Sequence, residues 1–340
     1  MPALFYFAVA AMLAAYVVLD GFDLGAGILL LFVARNDRER REVRAAIGPF
    51  WDGNEVWLLA AGGLLFLAFP RAYAVGFSGF YLPLMLALWL LLGRGLSMEL
   101  RGQVEHPLWA QLCDAGLFVS SGLLALVLGA ALGNVLRGVP IDSTGWFHVG
   151  LFAREPGELG ALDGYTVLVG LYAVALLTLH GALFLRWKCA GPLQERARRA
   201  AWLALPLVLA LGLAATMAGA RVRPELFARL LRPSLLWLPV LLSGAALILF
   251  LRARRDRAAF LASCALIASK LAGAALASYP VLLRSTIDPQ LSIDALRDAA
   301  SPHGLHVALA WGALGLPLAA LYFAILFRLH RGKAELDTYE

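Results

Sequence analysis

The sequence predicts an all-α membrane protein that crosses the bilayer several times. Of its 340 residues, 61% are hydrophobic and only 15% are charged. Apolar runs of about 20 residues, the length a helix needs to cross a bilayer, recur along the whole chain. The polar stretches between them, about 6 to 30 residues long, are too short to form a core of their own. We therefore expect residues 1–340 to form a single transmembrane domain.

The apolar runs and the residues that interrupt them predict nine transmembrane helices. The first run has no Lys or Arg before Arg35, so it lacks the basic start of a signal peptide and is expected to remain as an uncleaved span. The nine helices are expected near residues 4–33, 52–70, 76–96, 115–136, 164–186, 200–219, 235–251, 257–282 and 303–327.

The positive charges predict the orientation of these helices. The net charge is +6, but the basic residues fall between apolar runs, which argues against a nucleic-acid partner. Segments that follow the odd-numbered spans carry 19 Lys and Arg, and the alternate segments carry nine. By the positive-inside rule the N-terminus lies outside and the C-terminus in the cytoplasm. Segment 221–234 opposes this trend, with four arginines on the outer side.

Two carboxylates, Asp20 and Asp23, lie one helical turn apart inside the first apolar run. A charge near the bilayer centre costs about 2.5–3.5 kcal/mol, so such acids usually face a bundle interior and mark an ion or proton route. Counting from Arg35 at a rise of 1.5 Å per residue places Asp23 about 18 Å and Asp20 about 22 Å deep, near or beyond the midplane. Gly21 and Gly25 form a small-xxx-small pair that lets another helix approach and shield the acids. A proton or ion path is favoured over acids that only cross-link helices.

A second acidic motif, WDGNEVW, opens the second predicted span. Asp52 precedes an apolar run and Glu55 follows three residues later, which is the pattern of a helix capping box. The same residues are equally consistent with a route in which Asp52, at the inner mouth of the bundle, leads to the deeper Asp23. Asn54 would then bridge Asp52 to neighbouring backbone or water.

Two other polar residues lie deep within predicted spans. A single histidine in a helical bundle, such as His180, is more often hydrogen-bonded than metal-bound, so no metal or haem site is predicted. Lys270 is expected either to pair with an acid on a neighbouring helix or to stay neutral. The three cysteines form no metal-binding or disulfide pattern.

Three stretches carry a family resemblance: LDGFDLGAG in the first span, the following RNDRERREVRAAIGPFWDGNEVWL, and RAYAVGFSGFYLPLML. Together they resemble subunit II of cytochrome bd-type quinol oxidases, including the cyanide-insensitive branch. The resemblance is strong over roughly the first 100 residues and continues more weakly through TLHGALFL at 178–185 and SYPVLL at the end of the eighth span.

The resemblance implies an architecture and a partner. It implies nine helices arranged as two four-helix bundles plus one peripheral helix, and a heterodimer in the bacterial cytoplasmic membrane. The partner, subunit I, would carry two haems b, one haem d and the quinol site, and this chain would bind no haem. Asp23 and Asp52 match the acids of the family's cytoplasmic proton pathway, and Asp20, Asn54 and Glu55 lie in the same motifs. A small third subunit and a bound quinone or lipid remain open.

The leading hypothesis is therefore a non-haem subunit of a respiratory quinol:O2 oxidoreductase that stabilises the haem subunit and conducts protons to the site of oxygen reduction. An independent proton- or cation-coupled transporter is the alternative, although no internal repeat supports it. A third hypothesis is an assembly scaffold whose acids only fasten helices.

Overall fold

Twelve helices and one pair of short antiparallel strands make up the part of the chain that the computed structural model describes, residues 1–153, 155, 158–231 and 234–334. The strands are β1 (Val281–Leu283) and β2 (Ile293–Asp294). The helices are α1 (Pro2–Val33), α2 (Asp37–Ile47), α3 (Trp51–Ala68), α4 (Pro70–Gly79), α5 (Tyr81–Glu99), α6 (Pro107–Arg137), α7 (Gly164–Lys188), α8 (Gly191–Val222), α9 (Pro224–Leu231), α10 (Ser234–Arg252), α11 (Asp256–Ser278) and α12 (Pro302–Leu329).

The all-α membrane class is confirmed, because seven helices within the described residues are long and apolar enough to cross a bilayer: α1, α5, α6, α7, α8, α11 and α12. Helices α3 and α10 occupy the positions of the other two expected spans. The polar residues in the first turns of α3 lower its mean hydropathy, and α10 has 19 residues, Ser234–Arg252.

Several predicted boundaries differ from the observed ones. The span expected at 76–96 begins inside α4, because the helix is interrupted at Phe80 and α5 starts at Tyr81. Glycine and serine near the end of α4 are weak helix formers, which accounts for the break. Helix α8 starts at Gly191 rather than at residue 200, because its basic first turns are polar but favour helix. Hydropathy gives the length of the apolar stretch, whereas the helix itself continues into polar residues on either side of that stretch.

Helices α1 and α7 form the centre of the molecule. They cross at Gly25 and Gly181, where a Cβ on either glycine would overlap the backbone of the other helix. Phe22 of α1 stacks on Phe184 of α7 with ring centroids 4.1 Å apart. Around this pair, α3, α6 and α11 pack against α1, and α6, α8 and α11 pack against α7. By contrast, α12 packs mainly against α3 and is largely exposed.

The two ends of the helical bundle differ in structure. At one end, which we call the sheet end, the N-terminal turns of α1 lie near the strands, and the Tyr6 hydroxyl donates to the carbonyl oxygen of Ala275 at 2.9 Å. The opposite end, which we call the α2 end, carries the short basic helix α2. Its N-terminus is capped by Asn36, whose side chain accepts from the backbone N–H of Glu39 at 2.9 Å.

Candidate functional site

Both acids of the first apolar run are buried in the structure, with Asp20 0% and Asp23 1% exposed. Asn54 of α3 lies against them and is fully buried. Its Nδ2 donates to Oδ2 of Asp23 at 2.7 Å and to the carbonyl oxygen of Leu19 at 3.1 Å. The motif in α1 and the motif in α3 are therefore joined by direct hydrogen bonds.

Sequence reasoning missed the cation at the centre of this site, Arg94 of α5. Its Nη1 donates to Oδ1 of Asp20 at 2.6 Å, and its Nη2 donates to Oε1 of Glu55 at 2.5 Å. From sequence, Arg94 was counted only among the basic residues that follow the third span. Its position inside the apolar run LWLLLGRGL could have identified it, because a single arginine in such a run needs an acid to pair with when it is buried. We call Asp20, Asp23, Asn54, Glu55 and Arg94 the Arg94 cluster.

The start of α3 does not form the capping box that its sequence allows. The helix begins at Trp51, and its N-cap residue Phe50 makes no side-chain cap. Asp52 lies within the first turn and is exposed, and its Oδ1 accepts from the backbone N–H of Gly53 at 2.7 Å. Glu55 turns instead to the arginine of the Arg94 cluster. The helix starts before Asp52, so this carboxylate cannot cap it from outside.

The Arg94 cluster lies near the helix ends of α3 and α5 that point towards the α2 end. Asn54 is in the first turn of α3, and Arg94 is five residues before the end of α5 at Glu99. Helix α1 continues for ten residues beyond Asp23, about 15 Å, and so extends past the level at which α3 begins. The depths of about 18 Å for Asp23 and about 22 Å for Asp20 from Arg35 stay predictions.

The charges in the Arg94 cluster are unequal, since three carboxyl groups share one guanidinium. Asp20 and Glu55 each form an ion pair with Arg94, whereas Asp23 forms none among the described residues. Within that same part of the chain, four buried polar atoms of the cluster have no hydrogen-bond partner: Asp20 Oδ2, Asp23 Oδ1, Asn54 Oδ1 and Arg94 Nε. Buried polar atoms are normally satisfied by protein or by ordered water, so these positions suit water binding.

The other deep polar side chains have structural contacts. Both ring nitrogens of His180 are engaged, Nδ1 with Oγ of Ser263 at 2.7 Å and Nε2 with the carbonyl oxygen of Val18 at 2.9 Å. Lys270 forms no ion pair with an acid among the described residues, and its Nζ lies 5.1 Å from the ring centroid of Tyr172. No group of three or more metal-binding side chains occurs in the described ranges.

A second ionic site lies near the α2 end, where three arginines surround the fully buried Asp114 of α6. Arg44 Nη2 donates to Oδ1 at 2.8 Å, Arg101 Nε donates to Oδ1 at 2.8 Å, and Arg40 Nη1 donates to Oδ2 at 3.2 Å. We call these four residues the Asp114 cluster. Arg101 also donates to the exposed Asp37, and this hydrogen bond lowers the pKa of Asp37. The cluster ties α2 to α6 and to the end of α5.

The chain is similar in sequence to a set of bacterial oxidase subunits. The profile of the family described as cytochrome bd terminal oxidase subunit II matches residues 1–330. Cytochrome bd-I ubiquinol oxidase subunit 2 of Escherichia coli (strain K12) is 38% identical over 204 residues, which is 59% of this chain and 52% of that protein. Cytochrome bd ubiquinol oxidase subunit 2 of Bacillus subtilis (strain 168) is 37% identical over 198 residues, 58% of this chain and 56% of that protein. The aligned region thus spans about half the length of these curated relatives.

The fold is similar to that of a solved oxidase chain. A chain from the structure of bd oxidase from Geobacillus thermodenitrificans superposes with a TM-score of 0.78. The match covers 97% of this chain and 98% of that one at 20% sequence identity, so it supports the fold alone. The apolar helices and the family together indicate a multi-pass protein of the bacterial inner membrane. Because the family profile matches nearly the whole chain, the protein belongs to the cytochrome bd terminal oxidase subunit II family.

Proposed function

We propose that this chain is the non-haem subunit of a respiratory quinol:O2 oxidoreductase, and that it stabilises a haem-bearing subunit I and conducts protons towards the site of oxygen reduction. Family membership supports the first part, and it favours an oxidase subunit over an independent transporter. One observation carries the second part. Asp23 is buried, forms no ion pair among the described residues and is hydrogen-bonded to Asn54, in the helical turn that exposes Asp52.

In this proposal the proton enters at Asp52 and reaches Asp23. Asp52 is exposed at the α2 end and exchanges protons with the aqueous phase. Two residues further along α3, Asn54 holds Asp23 in place through Oδ2, and Oδ1 of Asp23 has no hydrogen-bond partner among the residues that the structure describes. Water bound at this oxygen and at Oδ1 of Asn54 would pass the proton, which arrives and leaves without any covalent change in the chain.

Asp20, Glu55 and Arg94 have a different proposed role. Their ion pairs form a network next to Asp23, which itself forms no ion pair among the described residues. An isolated buried carboxylate is expensive, whereas one that takes up a proton becomes neutral and is tolerated. Asp23 is thus the member of the Arg94 cluster best suited to carry a transferred proton.

The haems are assigned to the partner subunit. The deep histidine of this chain, His180, has both ring nitrogens engaged by protein atoms, so it does not fit a role as a haem ligand. A haem held in this chain is therefore not part of the proposal.

The proposal includes the complete topology. Helices α3 and α10 supply the eighth and ninth spans, and α12, the most exposed helix, suits the peripheral position beside two four-helix bundles. The excess of Lys and Arg after odd-numbered spans places the N-terminus outside and the C-terminus in the cytoplasm. The α2 end, with Asp52, then faces the cytoplasm. In this proposal lipid surrounds the bundle, and a small third subunit is a further partner.

The test replaces Asp23 and Asp52 by asparagine, one at a time, in the assembled complex. Quinol-dependent oxygen consumption and haem content are measured together. We expect turnover to fall at least about tenfold with haem content unchanged, as when a proton-transfer group is removed. Asp37→Asn is the matched control, since Asp37 is an exposed acid near the same end and lies outside the Arg94 cluster.

Two outcomes would contradict the proton route. Normal turnover with normal haem content would show that protons do not need these carboxyl groups. Loss of haem in Asp23→Asn would show that the acid fastens the two subunits together instead.

A further inference from the structure

A basic cavity lies at the sheet end, far along the helices from the Arg94 cluster. It has a volume of about 340 Å³ and is bounded by the end of α8, by α9 and by the strand segment. Four arginines from these three elements line it: Arg223, Arg229, Arg284 and Arg297. Arg223 and Arg229 lie at least 55 residues from Arg284 and Arg297 in the sequence, so the fold brings the two pairs together.

The lining has an excess of positive charge. Its acids are Glu225 and Asp294, so four arginines face two carboxylates. Asp294 is hydrogen-bonded to the backbone: its Oδ1 accepts from the N–H of Leu296 at 2.7 Å. Glu225 is half exposed, and its Oε1 lies 3.0 Å from Nη2 of Arg284 and 3.5 Å from Nε of Arg223. Two guanidinium groups thus converge on a single carboxylate oxygen, which marks a position where an anion is stabilised.

A second observation concerns Arg223 alone. Its side chain is buried, with the residue 6% exposed, and its Nη1 donates to the carbonyl oxygen of Leu136 at 2.9 Å. Its Nε is buried and makes no hydrogen bond within the described residues, and its nearest acid oxygen, Oε1 of Glu225, lies 3.5 Å away. A buried guanidinium N–H with only one long contact is poorly compensated for the water that it has lost. This donor lies at the wall of the cavity, where a bound anion would satisfy it.

We propose that this cavity binds a phosphate group, carried by a phospholipid headgroup or by a free phosphate. Arginine is suited to phosphate because its planar N–H groups pair with two phosphate oxygens at once. The apolar side chains in the lining, Leu226, Val281 and Pro289, would contact the carbon atoms next to the phosphate of a lipid. The volume is at the lower end of the range for small-molecule sites, about 300–1,000 Å³, which suits a headgroup better than a large cofactor.

The test compares two probes on the protein purified in detergent with any subunit that copurifies. The first probe is a titration of cardiolipin or phosphatidylglycerol, with bound lipid counted by native mass spectrometry. The second is radiolabelled inorganic phosphate in equilibrium dialysis. The variants are Arg229→Gln and Arg284→Gln, and the matched control is Arg221→Gln, an exposed arginine at the same end that does not line the cavity.

Loss of one charge-assisted contact is expected to weaken binding about tenfold in Arg229→Gln and Arg284→Gln and to leave it unchanged in Arg221→Gln. Glu225→Gln, which removes the competing carboxylate, is expected to strengthen binding. Lipid binding that phosphate does not displace would assign the site to a headgroup, and displacement by phosphate would assign it to the free anion. Absence of binding by both probes, or equal binding by all the variants, would overturn the proposal.

Discussion

The Arg94 cluster and the Asp114 cluster use the same two chemical groups in opposite proportions. In the Asp114 cluster one buried carboxylate receives hydrogen bonds from three arginines. In the Arg94 cluster one buried arginine forms ion pairs with two carboxylates, and the third carboxyl group, on Asp23, is hydrogen-bonded to the amide of Asn54 and forms no ion pair within the described part of the chain. Both sites join helices distant in sequence, and both are buried.

We propose that the difference in proportion corresponds to a structural role for the Asp114 cluster and a proton-transfer role for the Arg94 cluster. Nearby cations favour the charged form of a carboxylate. A carboxyl group buried without a cation can exist neutral or charged at moderate cost, which is what proton transfer needs. Burial alone, which Asp114 and Asp23 share, therefore does not identify a proton carrier.

The largest expected effect is that of Arg94→Gln. It leaves Asp20 and Glu55 without their cation, and removal of one partner from a buried ion pair destabilises by about 3–5 kcal/mol. We expect strongly reduced amounts of folded protein in membranes and a lower Tm of the purified protein. The matched substitution Arg101→Gln leaves Asp114 with two arginines and should be milder. An equal loss of Tm in the two variants would remove the distinction between the clusters.

The second largest loss of stability is expected for Asp114→Asn. Three arginines would then face one another around a neutral amide, with Arg44 still buried, and we expect a loss of about 2–4 kcal/mol. Docking of α2 should weaken, which limited proteolysis between α1 and α3 would detect. If α2 stays protected and Tm is unchanged, the cluster does not fasten α2 to the bundle.

Asp23→Asn should affect stability least among changes to the buried acids, by less than about 1 kcal/mol. The substitution preserves shape and removes no ion pair, since the partner of Asp23 is an amide. A Tm close to that of the parent protein, together with the fall in turnover proposed above, would sharpen the contrast with Asp114→Asn. A Tm loss as large as that of Asp114→Asn would make Asp23 a structural residue.

The smallest effect concerns pH. The pKa of Asp37 is lowered by its hydrogen bond from Arg101, so the folded state binds a proton there less readily than the unfolded chain. The contribution of Asp37 to the free energy of unfolding is fully present above the ordinary aspartate pKa, about 3.9. It is lost as the pH falls through the lowered pKa of the folded state. Because Asp37 is exposed, Asp37→Asn should cost no more than about 0.5 kcal/mol near neutral pH, measured as Tm, and nothing at low pH. A cost that grows as pH falls would contradict this sign.

Sequence reasoning reached the class of fold and the main acids but not their partners. Apolar runs identify helices because each span must be apolar over its own length, so the prediction needs no knowledge of neighbours. The cost of burying a charge likewise singled out Asp20 and Asp23 within one run. The arginine that compensates Asp20 is 74 residues away, and no local pattern connects the two.

What the sequence determined by itself was a helical membrane chain, its approximate spans and the motifs that place it in its family, because composition and short-range spacing carry that information. Only the tertiary structure decided which side chains Asp20 and Asp23 contact. Two acids one turn apart on α1 face different neighbours, Arg94 of α5 and Asn54 of α3, and the packing of these helices determines which acid is paired with a charge. The packing also brings the first turn of α3 and the end of α5 beside these two acids, because the level at which each helix begins and ends relative to α1 is set by contacts between helices and not by their own sequences.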